Sequence, residues 1–158
     1  ADGLDWSLVD IPGLGALNSD ISSFAEFNGS LYVGFRNEVE GGEVWVSPDG
    51  LIFSQVFAGG LGDTNNIRPY GLQSYHGALY LSFSNDAQGA ELWKSTDGSN
   101  WQKVMSHGWG DWNNTYASYF DKSIAVFHDA LYLATINTAN GGEVWRMMFL
   151  VNVPLIMR

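Results

Sequence analysis

The chain has 158 residues, of which 46% are hydrophobic and 15% aromatic, and it contains no cysteine. This length and composition indicate one globular domain with its own core, and the lack of cysteine excludes disulfides and thiolate chemistry. The net charge is −10 with only seven Lys and Arg residues, so neither a nucleic acid nor an anionic membrane is an expected partner.

The first predicted element is a strand near residues 4–10, within the phrase DGLDWSLV at 2–9. The phrase returns in altered form as DGLIFSQV at 49–56 and as DGSNWQKV at 97–104. Each later copy follows a complete set of strands. We therefore interpret the first copy as a fourth strand with no first three strands before it.

Three longer strand sets follow, near 21–57, 67–105 and 123–148. Each contains a strand around Leu-Tyr and another around Glu-x-Trp, with Tyr at 32, 80 and 132 and Trp at 45, 93 and 145. Both series advance by 48 and then by 52 residues. No stretch has a sustained helical period, and the strands carry apolar side chains on both faces, which is typical of sheets with a neighbour on each side.

Four short strands in a repeat of roughly 40–50 residues is the pattern of a β-propeller blade. We therefore predict an all-β propeller with three blades in this chain. The repeats span about 2–48, 49–96 and 97–148, and an off-repeat tail follows at 149–158.

Two turn sequences carry a family resemblance. SPDGLIF (47–53) and STDGSNW (95–101) resemble shortened versions of the Asp-box of sialidase-like, or bacterial neuraminidase repeat, propellers, whose pattern is Ser-x-Asp-x-Gly-x-Thr-Trp. The resemblance implies that Asp49 and Asp97 hydrogen-bond the local backbone between the third and fourth strands of a blade. It also implies a ligand site on the opposite face, around the central funnel. Residues that recur in every repeat are interpreted as blade architecture, among them Trp45, Trp93 and Trp145.

The loops on the face opposite these turns differ between repeats, which makes them candidates for an individual function. We predict that a glycan or another small polar ligand binds there, and the candidate contacts are Arg36, Asp63, Arg68, Asp111 and Trp112. Two alternatives stay open. Trp109 and Trp112 fold inward under a long loop, or the Asp and Asn residues at 63–66 and 111–114 bind a hard cation, although turn formation explains the same residues. No metal and no cofactor is expected.

The alternative function is a glycoside hydrolase of sialidase-like type. That resemblance would require three arginines on a substrate carboxylate, a Tyr–Glu nucleophile pair and an acidic Asp. The chain has arginine only at 36, 68, 146 and 158, and these positions do not assemble such a set. The obvious carboxylates for a catalytic pair are Asp63, Asp86 and Asp111. A binding module is therefore favoured, and no catalytic residue is assigned.

Propellers typically have ~4–8 blades, so three blades cannot readily close into a ring. We therefore predict a six-bladed homodimer in which each N-terminal strand, with Trp6 and Leu8, completes the third blade of the partner. Two alternatives remain. Residues 149–158 supply the missing strand, or the chain is a fragment of a longer propeller.

Overall fold

The computed structural model describes residues 5–11, 13–116 and 124–148. These residues form twelve β-strands and two short 3₁₀ turns, with no α-helix in the described part. The all-β prediction is confirmed. None of the described residues belongs to a helix that is long and apolar enough to cross a membrane.

The strands form three antiparallel sheets of four strands each. The first sheet contains β1 (Asn18–Phe27), β2 (Ser30–Asn37), β3 (Glu43–Ser47) and β4 (Ser54–Phe57). The second contains β5 (Arg68–Tyr75), β6 (Ala78–Ser84), β7 (Glu91–Ser95) and β8 (Gln102–Met105). The third contains β9 (Asn114–Tyr116), β10 (Ile124–Phe127), β11 (Ala130–Asn137) and β12 (Glu143–Met148). In the first two sheets the spatial order follows the chain order.

The third sheet has a different strand order. Both β9 and β10 pair with β11, so together they correspond to the single strands β1 and β5. The chain takes 14 residues from Asn66 to Tyr80 but 18 from Asn114 to Tyr132, so the third repeat has four extra residues between β9 and β11. Within the described residues, no strand pairs with the outer edge of β12, where the other sheets have β4 and β8.

Tight hairpins join the first two long strands of each sheet. Their central residues are Asn28–Gly29, His76–Gly77 and His128–Asp129, and all six residues have positive φ. Two successive positive φ values indicate a type I′ turn, whose twist matches that of an antiparallel pair. The side chains of His76 and His128 are both exposed.

The strand predicted near residues 4–10 is not formed at the described residues 5–10 of the single chain. Trp6 and Leu8 in this segment are almost fully exposed. A strand requires a neighbouring edge for its backbone hydrogen bonds, and no strand among the described residues pairs with this segment.

The core lies mainly between the sheets. At the first junction, Tyr32 and Val44 of the first sheet share a buried cluster with Leu79, Leu81 and Phe83 of the second sheet. A second cluster joins the second and third sheets in the same way. Strand β5 contacts both β1 and β10, so the first strands of the three sheets are neighbours.

Strand direction divides the connections between two ends of the molecule. The turn end carries the hairpins above and the β3–β4 and β7–β8 turns, at 48–53 and 96–101. The loop end carries the connections at 38–42, 58–67, 85–90, 106–113 and 138–142. This division matches the two faces expected from the sequence.

Candidate functional site

The aspartates of the turn end are used to hold the chain. Asp49 Oδ1 accepts the backbone N–H groups of Leu51 and Ile52, both at 2.9 Å. Asp97 makes the matching bonds and also accepts the side-chain amide of Asn100. The backbone bond from Ile52 is the main cause that lowers the pKa of Asp49, and the Asn100 amide is the main cause for Asp97. These carboxylates stabilise the turns.

A buried hydrogen-bond network recurs at the loop end. Asn66 is fully buried, and its Nδ2 donates to the Gly60 carbonyl at 3.0 Å and to Glu91 Oε2 at 2.9 Å. The same Glu91 oxygen accepts Trp93 Nε1 at 2.9 Å, and Lys103 Nζ lies 2.5 Å from Glu91 Oε1. Because a buried polar group is costly without a partner, these residues support one another.

The third sheet repeats this network incompletely. Asn114 Nδ2 donates to Gly108 O and Glu143 Oε2, both at 2.8 Å. In contrast to Trp45 and Trp93, which donate to a glutamate, Trp145 Nε1 is buried with no hydrogen-bond partner among the described residues. The fourth strand, which supplies Lys103 in the second sheet, has no counterpart in the described part of the third sheet.

The predicted ligand contact Asp63 lies in the connection between the first and second sheets. Its Oδ1 accepts both the backbone N–H and the side-chain amide of Asn65, and its Oδ2 accepts Asn85 Nδ2 at 3.0 Å. Burial acts to raise the pKa of Asp63, but the hydrogen bonds from Asn65 and Asn85 outweigh it and the pKa is lowered. These bonds give Asp63 a loop-closing role, and ligand contact at this position stays a prediction.

Asp111 has the same arrangement one repeat later. It accepts the backbone N–H of Asn113 at 2.9 Å, and its Oδ2 accepts Asn137 Nδ2 at 2.8 Å and Asn140 Nδ2 at 3.0 Å. The Asn113 backbone bond, followed by the amides of Asn137 and Asn140, lowers the pKa of Asp111 to about 2. Asp111 thus connects the loop after the second sheet to the third sheet. In the described part of the chain, no group of three His, Asp or Glu side chains is placed to hold a metal ion.

The two predicted arginines converge on one carboxylate. Arg68 at the start of β5 and Arg36 near the end of β2 both contact Asp20 Oδ2, with Arg36 Nη1 at 3.6 Å. Arg68 Nη1 also donates to the Tyr70 hydroxyl at 2.6 Å, and its guanidinium lies 4.9 Å from the centre of the Tyr70 ring. Arg36 forms a further ion pair with Glu38. We call Asp20, Arg36, Arg68 and Tyr70 the arginine cluster.

The arginine cluster borders a groove. The first strands β1, β5 and β10 line a groove of about 680 Å³, and Tyr70 belongs to both the groove wall and the cluster. Burial acts to lower the pKa of Arg68, but Tyr70 and Asp20 raise it, so this guanidinium stays charged. Asp20 Oδ1 and Arg68 Nε are buried and have no hydrogen-bond partner among the described residues.

The two loop tryptophans have different positions. Trp109 is partly buried and stacks on Trp145 with a centroid distance of 5.9 Å. Trp112 is 59% exposed and stacks on His107 at 5.1 Å. The inward alternative is therefore correct for Trp109, whereas Trp112 remains on the surface.

Sequence reasoning missed Asp20 as a site residue. Asp20, Arg68 and Tyr116 each lie two residues after the equivalent asparagines Asn18, Asn66 and Asn114. These three side chains differ in charge, although the residues around them follow the same repeat. This difference is the sequence signal that could have identified Asp20. Among the described residues, neither Asp63, Asp111 nor Trp112 hydrogen-bonds either arginine, so the structure unites two of the five predicted contacts.

No protein-family model matches this chain, and no curated protein matches it. The geometry of the arginine cluster and the groove is therefore the basis for a function.

Proposed function

We propose that this chain is a ligand-binding β-propeller related to the sialidase-like repeats, with three four-stranded blades per chain and six in a homodimer. The period of 48 and 52 residues supports the blade assignment. The antiparallel four-stranded sheets and the neighbouring first strands β1, β5 and β10 support it as well. In this architecture the first strand of each blade lines the centre, and the loop end surrounds its mouth.

The proposed ligand is a glycan or another small polar molecule bound at the loop end. One observation carries this proposal: Arg36 and Arg68 meet at Asp20 beside a groove, at positions whose chemistry changes from blade to blade. The buried network around Asn66 repeats instead, as a scaffold must. A blade-specific cluster on a repeated scaffold is where an individual function is expected.

The cluster offers the groups that a hydroxyl-rich ligand needs. Arginine donates several N–H bonds, and a carboxylate accepts from hydroxyl groups. Trp112 is an exposed aromatic side chain at the same end of the molecule and provides a surface for a sugar ring. Polar groups beside a groove are typical of small-molecule sites.

The glycoside hydrolase alternative gains no support from the candidate carboxylates. A catalytic acid must hold its proton near neutral pH, which requires a raised pKa. Hydrogen bonds instead lower the pKa of Asp63 and of Asp111. We therefore propose binding without catalysis.

A glycan array combined with a thermal-shift screen of free sugars and polar small molecules tests this proposal. For a ligand found in this way, Arg68→Ala should weaken binding about 10–100-fold, because a charged hydrogen bond is lost from the site. Trp112→Ala should also weaken it. Lys94→Ala removes a positive charge from strand β7 of the second sheet and is the matched control.

Two results would contradict the proposal. One is a ligand whose affinity is the same in Arg68→Ala, Arg36→Ala and the Lys94→Ala control. The other is a ligand that binds at the turn end, located by protection of amides in the 48–53 and 96–101 turns.

A further inference from the structure

We infer that a second copy of this chain joins the first through two complementary surfaces. One is the outer face of the third sheet, and the other is the free face of the first sheet together with residues 5–10. This inference rests on the propeller architecture proposed above but does not depend on the ligand.

The outer face of the third sheet is an interface surface without its neighbour. Val144 is 75% exposed, whereas the matched Val44 and Leu92 are 0% and 5% exposed. Phe127 is 60% exposed, against 3% and 5% at the matched aromatic positions of the other two sheets. In those sheets the following sheet covers this face. The third sheet therefore presents the residues that receive a following sheet.

The first sheet presents the complementary face. Phe24, Leu72 and Ile124 occupy the same position on the first strand of their sheets, opposite Val33, Leu81 and Leu133 respectively. Leu72 and Ile124 are buried in the clusters that contain the aromatic residues of the preceding sheet. Phe24 is 57% exposed, and none of the described sheets covers it.

The N-terminal segment leads from that face. Ile11 and Leu14 pack against the first sheet at Val33, Phe35 and Trp45, as Leu61 packs at the junction of the first and second sheets. Leu61 lies in the 58–67 connection, and the residues just before this connection form β4, the fourth strand of the first sheet. Residues 5–10 therefore extend to the place of a fourth strand in a sheet that precedes the first.

Trp6 matches the aromatic residue that precedes the fourth strand in the other repeats. The matched Phe53 and Trp101 lie just before β4 and β8, and both pack against core clusters, whereas Trp6 is exposed. Strand β12 has an open edge in the described residues, and Trp145 beside it has an unpaired buried N–H. An exposed strand edge is a template for pairing with another chain.

A second copy fits both surfaces at once. Each chain carries one receiving face and one entering face, so two chains can join head to tail at two equivalent junctions and close with two-fold symmetry. The closed form has six blades, within the range of about 4–8 found in propellers. No other partner is needed to cover Phe24, Phe127 and Val144.

Disulfide trapping tests the register of this contact. Lys94 of β7 pairs with Gln102 of β8, and Val46 pairs with Ser54. By the repeat, Arg146 of one copy pairs with Ser7 of the other. The double variant Ser7→Cys/Arg146→Cys has no other cysteine, because the natural chain has none. Mild oxidation should give a covalent dimer of twice 17.4 kDa, about 35 kDa, on a non-reducing gel.

The controls separate register from random collision. On the same gel, each single cysteine variant and the pair Ser7→Cys/Val39→Cys, which places the second thiol in an exposed loop, should run largely as the monomer. Exclusive monomer from the Ser7/Arg146 pair would overturn the inference, as would an internal disulfide within one chain. A ladder of higher oligomers would overturn the closed dimer.

A charge placed on the receiving face gives a second test. Val144→Asp should weaken dimerisation roughly 100-fold in sedimentation velocity, because the carboxylate would be buried without a partner. Val39→Asp adds the same charge to a loop-end residue that is also largely exposed, and should leave dimerisation unchanged. Equal dimerisation of the two variants would overturn the inference. A dimer that binds no ligand contradicts the proposed ligand site but not the dimer, and a monomer that binds a ligand contradicts the dimer but not the ligand site.

Discussion

Matched residues form the junction between the first and second sheets and the outer face of the third sheet. A neighbouring sheet covers only the junction. Val44 and Val144 have the same side chain at the same position of the repeat, and they differ from fully buried to largely exposed. Each pairs with the preceding strand of its sheet, Val44 with Gly34 and Val144 with Ala134, although the described part of the third sheet has no counterpart of β4. The repeat thus determines the structure within a sheet, whereas burial depends on the sheet beside it.

The largest expected difference between a covered and an uncovered position concerns two turn glycines. Gly98 has φ +80°, and a Cβ there would overlap the hydroxyl of Tyr32 from the neighbouring sheet. Gly98→Ala should therefore lower the free energy of unfolding by about 2–5 kcal/mol. The matched Gly50 has φ +74° and no atom within 4 Å of such a Cβ, so Gly50→Ala should cost only about 1–2 kcal/mol.

Urea unfolding of both glycine variants at low protein concentration measures this difference. Equal losses would show that the neighbouring sheet does not distinguish the two turns. At higher protein concentration the loss of unfolding free energy in Gly50→Ala should approach that in Gly98→Ala. In the dimer, Tyr132 of a second copy would lie against Gly50 as Tyr32 lies against Gly98.

A smaller difference is expected for the two matched valines. Val44→Ala removes buried methyl groups at the covered junction and should lower the free energy of unfolding by about 2–3 kcal/mol. Val144→Ala should change it by less than about 0.5 kcal/mol in the monomer. Both are measured by urea unfolding in a Phe127→Asp background, so that association does not contribute. A large loss in Val144→Ala would mean that the face is already covered within one chain.

The smallest expected effect is the pH dependence of stability that Asp111 contributes. Its hydrogen bond from Asn137 connects the loop after the second sheet to the third sheet. Its pKa of about 2 in the folded state lies below the ordinary value of about 3.9 for an unfolded Asp. The stabilisation is therefore complete above about pH 4 and is lost as the pH falls towards 2. The thermal midpoint of Asp111→Asn should fall less steeply over this range than that of the wild type. Identical slopes for Asp111→Asn and the wild type would contradict this role.

The sequence predicts most of the fold because the information is local and repeated. The hairpin pair His76–Gly77 determines its turn through its own positive φ values. The turn aspartates Asp49 and Asp97 determine theirs through bonds to residues only a few positions away. Because the pattern occurs in three repeats, the same strands are predicted in each of them. The divided first strand of the third sheet was not predicted, although the step of 52 residues contained the four extra residues that explain it.

The candidate site was predicted less completely because its contacts are long-range. Asp20 and Arg68 are 48 residues apart, and a single aspartate in a strand gives no sign of its partner. Asp63 and Asp111 were assigned to ligand binding from their residue type, but their partners Asn85, just after β6, and Asn137, at the end of β11, give them a loop-closing role. The positions of the Trp109 and Trp112 side chains likewise depend on packing, against Trp145 and His107 respectively.

In the proposed dimer, the exposed faces of the first and third sheets are the two halves of one junction. Light scattering of the unmodified 158-residue chain at micromolar concentration measures the dimer directly. We expect a dimer of twice 17.4 kDa, about 35 kDa, that does not grow with concentration. A stable monomer of 17.4 kDa would contradict it.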